Sequence, residues 1–147
     1  HNISRSDWKR DPRKASNPCK LPSTAYCQAH HVIPCEVWDE PVASRIHSCC
    51  FDLNESDNLI MLPCCDYDDR EASYHRGRTP GAYVQRVRSL LQQLNNETDT
   101  KTMCSKARQI LRNLKKGLCD GTIPLSDDAN IIECSSMPQG NCTVSCS

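Results

Sequence analysis

Hydrophobic positions recur at helical spacing between residues 79 and 117, which is the clearest secondary-structure signal in the chain. Thr79 and Pro80 predict the start of a first helix, through a hydroxyl cap and a proline in the first turn. Asp99 predicts the N-cap of a second helix and Gly117 its end. The apolar stripes are Tyr83, Val84, Val87, Leu90, Leu91 and Leu94, then Met103, Cys104, Ala107, Ile110, Leu111 and Leu114. We predict an antiparallel helical hairpin whose outer faces carry Arg86, Arg88, Lys106, Arg112 and Lys115.

Shorter apolar runs precede these helices. Residues 26–34 and 58–63 are bounded runs that predict two strands, and the segment 36–44 between them predicts a short helix interrupted at Pro41. A further strand is predicted at 130–134. The order favours an α+β fold with three parts: an N-terminal arm (1–25), a central domain (26–118) and a C-terminal arm (119–147).

Cysteine content changes this picture, because the chain is poor in large apolar side chains. Only one Phe and 5% aromatic residues are present among 147 residues, but there are 12 cysteines. So many cysteines predict a disulfide-stapled domain from an oxidising compartment, with the pairing left open. The candidate disulfide cysteines, which permit up to six bridges, are Cys19, Cys27, Cys35, Cys49, Cys50, Cys64, Cys65, Cys104, Cys119, Cys134, Cys142 and Cys146.

Glycosylation signals agree with an oxidising compartment. The chain contains four Asn-x-Ser/Thr sequons, at Asn2, Asn54, Asn96 and Asn141. No apolar run approaches the roughly 20 residues that cross a bilayer, and no apolar leader opens the sequence. We therefore expect a secreted, extracellular glycoprotein in its mature form, with no membrane partner.

The formal net charge of zero hides a segregation of charge along the chain. Residues 1–20 hold six bases against two acids, and residues 101–116 hold six bases and no acid. Residues 120–147 contain four acids and no base. Basic stripes on a neutral protein can bind polyanions locally, and a solvated helix face is the alternative interpretation.

Candidate chemistry centres on His30, His31, Asn58 and His75. Adjacent strand residues point to opposite faces, so His30 and His31 cannot play the same part. One faces a metal and the other a scissile group, while Asn58 opens the second strand and His75 precedes the first helix. This order on strand, strand and helix is the pattern of a ββα-metal nuclease site.

Four blocks of sequence resemble the AHH branch of the HNH/endonuclease VII nucleases. They are AHHVIP at 29–34, FDLN at 51–54, NLIMLP at 58–63 and HRG at 75–77, with Tyr83 following. The resemblance runs from about residue 29 to 91. It implies a ββα-metal finger core and metal-dependent cleavage of DNA or RNA, with nucleic acid as the substrate.

The resemblance also implies roles for single residues. His30 and His75 are the ligands of a divalent ion, which can be Mg²⁺, Mn²⁺ or Zn²⁺. His31 is the general base that takes a proton from the attacking water, and Asn58 holds the adjacent loop or the His31 ring. Their expected geometry is convergence of His30 and His75 on one point, with His31 beside an open basic cleft. The residues expected to contact phosphates are Arg76 and Arg78.

The chain departs from this family at Thr79, where the family has a second histidine one helical turn after His75. A threonine hydroxyl is a poor metal ligand, so further oxygen ligands are sought in the acidic segment before His75. The candidates there are Asp66, Asp68, Asp69 and Glu71.

Three alternatives stay open. Short spacings allow a zinc–thiolate site at Cys27, His30, His31 and Cys35. An N-terminal His1 can chelate copper with a partner such as His47. The third is a non-catalytic secreted glycoprotein that uses the nuclease-like fold as a building block of an extracellular filament, coat or matrix, and self-associates through its terminal arms. Zero net charge, Thr79, the sequons and the Cys-bearing arms favour this third alternative.

Overall fold

The computed structural model of the chain describes Cys19, residues 27–63 and residues 81–125. These residues form an α+β fold, as the sequence predicts, with a two-stranded antiparallel sheet and three α-helices. The elements are β1 (Cys27–His31), α1 (Pro41–Cys49), β2 (Leu59–Pro63), α2 (Gly81–Gln92) and α3 (Thr100–Asp120), with 3-10 turns at Cys35–Val37 and Ser56–Asn58. The remaining parts of the predicted arms and the predicted strand at 130–134 lie outside the described residues.

The sheet confirms both predicted strands in slightly shorter form. β1 pairs with β2 in a register that sets His30 opposite Ile60 and His31 opposite Leu59. Residues 59–62 of β2 are all buried, so both faces of this strand are covered. That coverage explains why the strand reads as a continuous apolar run instead of an alternating one.

The helix between the strands differs from its prediction. Pro41 does not interrupt a helix but starts one, because α1 begins at this residue and the segment before it forms only a 3-10 turn. Proline suits the first helical position, since its missing N–H would have no acceptor there and its fixed φ is already helical.

Helices α2 and α3 bury most of the predicted stripes, whereas Leu90, Cys104 and Ile110 are only partly buried. The side chains of Tyr83, Val87 and Leu91 on α2 are buried, as are those of Met103 and Leu114 on α3. None of the helices in the described segments is long and apolar enough to cross a bilayer.

The predicted N-cap of the second helix is confirmed, because the Asp99 carboxylate accepts a hydrogen bond of 2.9 Å from the backbone N–H of Thr102. The predicted helix start at Thr79 and Pro80 lies outside the described residues.

The end of α3 corrects the sequence analysis. The helix passes through Gly117 and ends one turn later, at Gly121, whose φ of 79° is left-handed. This conformation favours glycine, which has no Cβ to clash with the backbone. Gly117 has a different role, because a Cβ built on it would lie 2.3 Å from the side chain of Ile123, whose N–H bonds to the Gly117 carbonyl.

Packing of the helices centres on α1, which contacts both α2 and α3. The predicted pairing of α2 with α3 as an antiparallel hairpin stays a prediction.

Two basic residues predicted on the outer helix faces are placed differently. Arg88 does not lie on an outer face, since its guanidinium pairs with the Glu40 carboxylate next to α1. Lys115 is also half-buried.

Two disulfides staple the described part of the chain. Cys50–Cys104 joins the end of α1 to α3, and Cys19–Cys119 joins the N-terminal region to the last turn of α3. Loops of 54 and 100 residues each correspond to about 4–5 kcal/mol of lost entropy in the unfolded chain. Cys35 is also disulfide-bonded.

Cys49 differs from its expectation as a candidate disulfide cysteine, because in the described part of the chain its thiol is free and exposed. Neighbouring helix positions project about 100° apart, so Cys50 faces α3 while Cys49 faces solvent. The side chains of Cys27, Cys64, Cys65, Cys134, Cys142 and Cys146 lie outside the described residues.

The role of Gly117 predicts a measurable asymmetry between two helical glycines. Gly117→Ala should lower the free energy of unfolding by about 1–3 kcal/mol, because the new methyl group displaces Ile123. The matched control is Gly81→Ala, where nothing lies within 4 Å of the added Cβ. We expect that variant to unfold at the wild-type urea concentration or above it. Equal losses in the two variants would contradict the close approach of Ile123.

Candidate functional site

The two adjacent histidines of β1 lie on opposite faces of the sheet, as predicted. The His30 ring packs edge-on against Tyr83 of α2, with 5.2 Å between ring centroids. The His31 ring packs edge-on against Trp38, also at 5.2 Å. Each imidazole therefore has its own aromatic neighbour, and the two rings cannot serve one ligand position.

Both imidazoles are buried, which differs from the open cleft expected beside His31. The exposed fractions are 1% for His30 and 2% for His31. In addition to its contact with Trp38, His31 has Nδ1 3.8 Å from Sγ of Cys35. The disulfide-bonded state of Cys35 has a further consequence, because a cysteine in a disulfide is not a thiolate. Cys35 therefore cannot be a thiolate ligand, and the zinc–thiolate site proposed for Cys27, His30, His31 and Cys35 is wrong.

Asn58 is fully buried and uses its whole amide on the backbone around the histidines. Its Oδ1 accepts from the N–H of Ile33 at 2.7 Å. Its Nδ2 donates to the carbonyls of Ile33 and Leu53, each at 3.0 Å. Of the two functions expected for this side chain, the geometry shows that Asn58 holds the loop, since both amide protons go to carbonyls and neither to the His31 ring.

Two aromatic side chains hold the same short segment. The Tyr83 hydroxyl donates to the Val32 carbonyl at 2.6 Å, and Trp38 Nε1 donates to the Ile33 carbonyl at 2.9 Å. Burial raises the pKa of the Tyr83 phenol well above its ordinary range, against a smaller opposite effect of Arg86, so the hydroxyl keeps its proton. We call Asn58, Tyr83 and Trp38 the backbone clamp, because together they fix the segment that follows the histidine pair.

The sequence did not single out Trp38, although its type and place contained a signal. An indole near a predicted site can pack with its ring and donate with its N–H, and Trp38 does both. Tyr83 stands in the family pattern and in the apolar stripe, but neither pattern shows its hydrogen bond to the Val32 carbonyl, directly after β1.

The described segments include only some of the candidate metal ligands. Within residues 27–63 and 81–125, no three His, Cys, Asp or Glu side chains come together as a metal site. His30 and His31 face apart, so they do not form one by themselves. The remaining candidates lie outside the described residues: His75, Arg76, Arg78, Thr79, Asp66, Asp68, Asp69, Glu71 and His1.

The sequons differ in their accessibility. Asn96 is exposed in the turn between α2 and α3, where a glycan can project into solvent. Asn54 is half-buried, and its N–H donates to the Asp52 carboxylate at 2.8 Å. Asn2 and Asn141 lie outside the described residues.

Comparison with known proteins gives a match to a family model. A family model described as "AHH: A nuclease family of the HNH/ENDO VII superfamily with conserved AHH" matches residues 13–118. The matched region contains Ala29, His30 and His31, and it extends further in both directions than the resemblance seen from the motifs. No curated protein and no solved structure matches the chain.

The backbone clamp predicts a large loss of stability when the buried amide is removed. Asn58→Ala should lower the free energy of unfolding by about 2–4 kcal/mol, because the Ile33 N–H and the Leu53 carbonyl lose their partner in the interior. The matched control is Asn113→Ala, at an exposed position of α3, which should change it by less than about 0.5 kcal/mol. Urea unfolding followed by tryptophan fluorescence measures both. A similar small effect in the two variants would show that the clamp does not hold the fold.

Proposed function

This chain belongs to the AHH nuclease family of the HNH/ENDO VII superfamily, and from that premise we propose that it hydrolyses phosphodiester bonds of DNA or RNA. Nucleases of this superfamily are generally metal-dependent, and their substrate is nucleic acid. The observation that carries the proposal is the family match over most of the chain. The separation of His30 from His31 across the sheet supports it, because a base and a metal ligand have to face different groups.

In the proposed reaction His31 is the general base. A neutral imidazole has a proton affinity suited to taking a proton from water near pH 7. Asn58 is a positioning residue, since its amide fixes the backbone directly after His31. Arg76 and Arg78 contact phosphate oxygens, for which the planar guanidinium is well suited.

His30 and His75 are the proposed ligands of the divalent ion. When bound, the ion supplies positive charge that neutralises the phosphate and the leaving oxygen. Because the described residues alone do not assemble a site, the proposal requires His75 to complete it. Thr79 then leaves the site with fewer protein ligands than the family pattern provides, which favours an ion such as Mg²⁺ that keeps much of its water.

Secretion is part of the proposal. The disulfides Cys19–Cys119 and Cys50–Cys104 support it, because such bonds persist in oxidising compartments. The exposed position of Asn96 supports a glycan at that site.

Burial of both imidazoles favours a second candidate function, the non-catalytic glycoprotein that serves as an extracellular building block. In that function His30 and His31 are core residues that pack on Tyr83 and Trp38, and no water has to reach them. The nuclease requires the His31 ring to become accessible when substrate binds, and the building block does not.

The test is cleavage of plasmid DNA and of RNA with Mg²⁺, Mn²⁺ or Zn²⁺, and with EDTA as the metal-free reference. We expect cleavage with at least one ion and none with EDTA. His31→Asn should lower the rate by about 10²–10⁴-fold, because the amide cannot take up the proton. The matched control is His47→Asn on α1, which offers an amide oxygen where Nδ1 accepts from Leu53 N–H, and should cleave at the wild-type rate.

Two outcomes would exclude the nuclease. One is intact DNA and RNA with every ion. The other is equal activity of His31→Asn and His47→Asn, which would assign any cleavage to a contaminant or to other residues. Intact substrates together with assemblies in light scattering would favour the building block.

A further inference from the structure

Helix α3 carries a one-sided distribution of charge that the proposed chemistry does not use. Residues 100–119 contain six bases and no acid. Four of these bases are Lys101, Arg108, Arg112 and Lys116, at steps of seven, four and four residues. Such steps place side chains on one side of a helix with 3.6 residues per turn. We call these four residues the α3 basic stripe.

The stripe faces solvent, because the opposite side of α3 is the core. Met103, Ala107 and Leu114 are buried, whereas all four stripe residues are exposed. The stripe is therefore a surface of the folded protein and does not depend on any rearrangement.

Within residues 27–63 and 81–125, no ion pair neutralises the charges of the stripe. Arg108 donates to the Cys50 carbonyl and lies 5.4 Å from the centre of the Phe51 ring, and Arg112 donates to the Gln109 side chain. These acceptors are neutral. In the described part of the chain, no carboxylate lies within 4.0 Å of any stripe nitrogen. Lys116 only contributes at longer range to the lowered pKa of Asp120, which comes mainly from hydrogen bonds with Thr122.

The other two bases of α3, Lys106 and Lys115, differ from the stripe residues in their surroundings. Lys106 pairs with Glu97 at 3.0 Å. Lys115 is half-buried, and burial lowers its pKa, while Asp57 acts in the opposite direction. Lys106 is therefore neutralised by an ion pair and Lys115 is partly withdrawn from solvent, whereas the four stripe residues are exposed and form no ion pair in the described segments.

We propose that the α3 basic stripe binds the sugar–phosphate backbone of a nucleic acid strand, as a second contact separate from the histidine site. The choice of nucleic acid as the polyanion rests on the proposed function. From residue 101 to 116 the stripe spans about 22 Å, the rise of about six nucleotides in one strand. Its arginines and lysines contact phosphates without reading bases, so binding is independent of sequence and sensitive to salt.

An anionic membrane is the other polyanion to consider, and the structure disfavours it. Helices that lie on membranes insert an exposed apolar face into the lipid. The apolar face of α3 is already buried in the core, and the described residues show no exposed large hydrophobic side chain. The stripe therefore offers charge alone, which suits a phosphate backbone.

The test measures binding without cleavage, by fluorescence anisotropy of a labelled 20-nucleotide single strand and the matching duplex in EDTA at several salt concentrations. The triple variant Lys101→Gln/Arg112→Gln/Lys116→Gln keeps Arg108, which packs on Phe51. It should bind about 10²-fold more weakly at 0.1 M salt, and the slope of log K against log salt should fall by about 2–3. Lys106→Gln is the matched control, because it removes a base that is already paired, and it should stay within about threefold of wild type. Thermal unfolding at the wild-type temperature verifies that the triple variant folds.

Binding by the triple variant at wild-type strength would overturn the proposal. So would stripe-dependent binding to phosphatidylserine vesicles without binding to either oligonucleotide, which would assign the stripe to a membrane. Because EDTA prevents metal-dependent cleavage, the two proposals fail separately. Absence of cleavage with every ion leaves stripe-dependent binding in place, whereas loss of the stripe effect leaves wild-type cleavage in place.

Discussion

The buried amide of Asn58 is the interaction on which the site and the sheet both depend. It joins the residue before β2 to Ile33, 25 positions earlier, and to Leu53, so that each of its polar atoms bonds to backbone. A buried amide without partners is costly, so this network admits only one arrangement of the two segments. The register of the sheet matters because a slip of one residue would exchange the faces of His30 and His31. The asparagine therefore fixes which imidazole meets Tyr83 and which meets Trp38.

Around this clamp the domain compensates for a thin supply of large apolar side chains. Its core is one cluster that runs from Val32 through α1 to the last turn of α3. The disulfides hold the outer elements to that cluster, with Cys50–Cys104 fixing α1 against α3 next to Arg108. This disulfide thus ties α3, which carries the α3 basic stripe, to the backbone at Cys50, which precedes Asn58 of the backbone clamp.

The sequence predicted those elements whose signals are local. Apolar spacing located α2 and α3, the Asp99 cap was correct, and the two strands followed from bounded apolar runs. The prediction that α3 ends at Gly117 was wrong, because a helix interior tolerates glycine where a neighbour approaches closely. The local pattern does not show that Ile123 approaches there. The pairing of Arg88 with Glu40 and the hydrogen bond from Tyr83 to Val32 likewise join residues that only the folded chain brings together. Motif order identified the family, whereas the burial of His30 and His31 depends on packing from several elements.

In the proposed nuclease site, His30 of β1 and His75 bind one divalent ion, with His31 turned to the other face of the sheet. The most direct measurement is NMR of the imidazole ¹⁵N resonances during titration with Zn²⁺ and Mg²⁺. If both rings bind the ion, the resonances of His30 and His75 shift together at the same metal concentration, while those of His47, on α1, stay unchanged. Shifts of His30 and His75 at unrelated concentrations, or no shift of either ring, would contradict it.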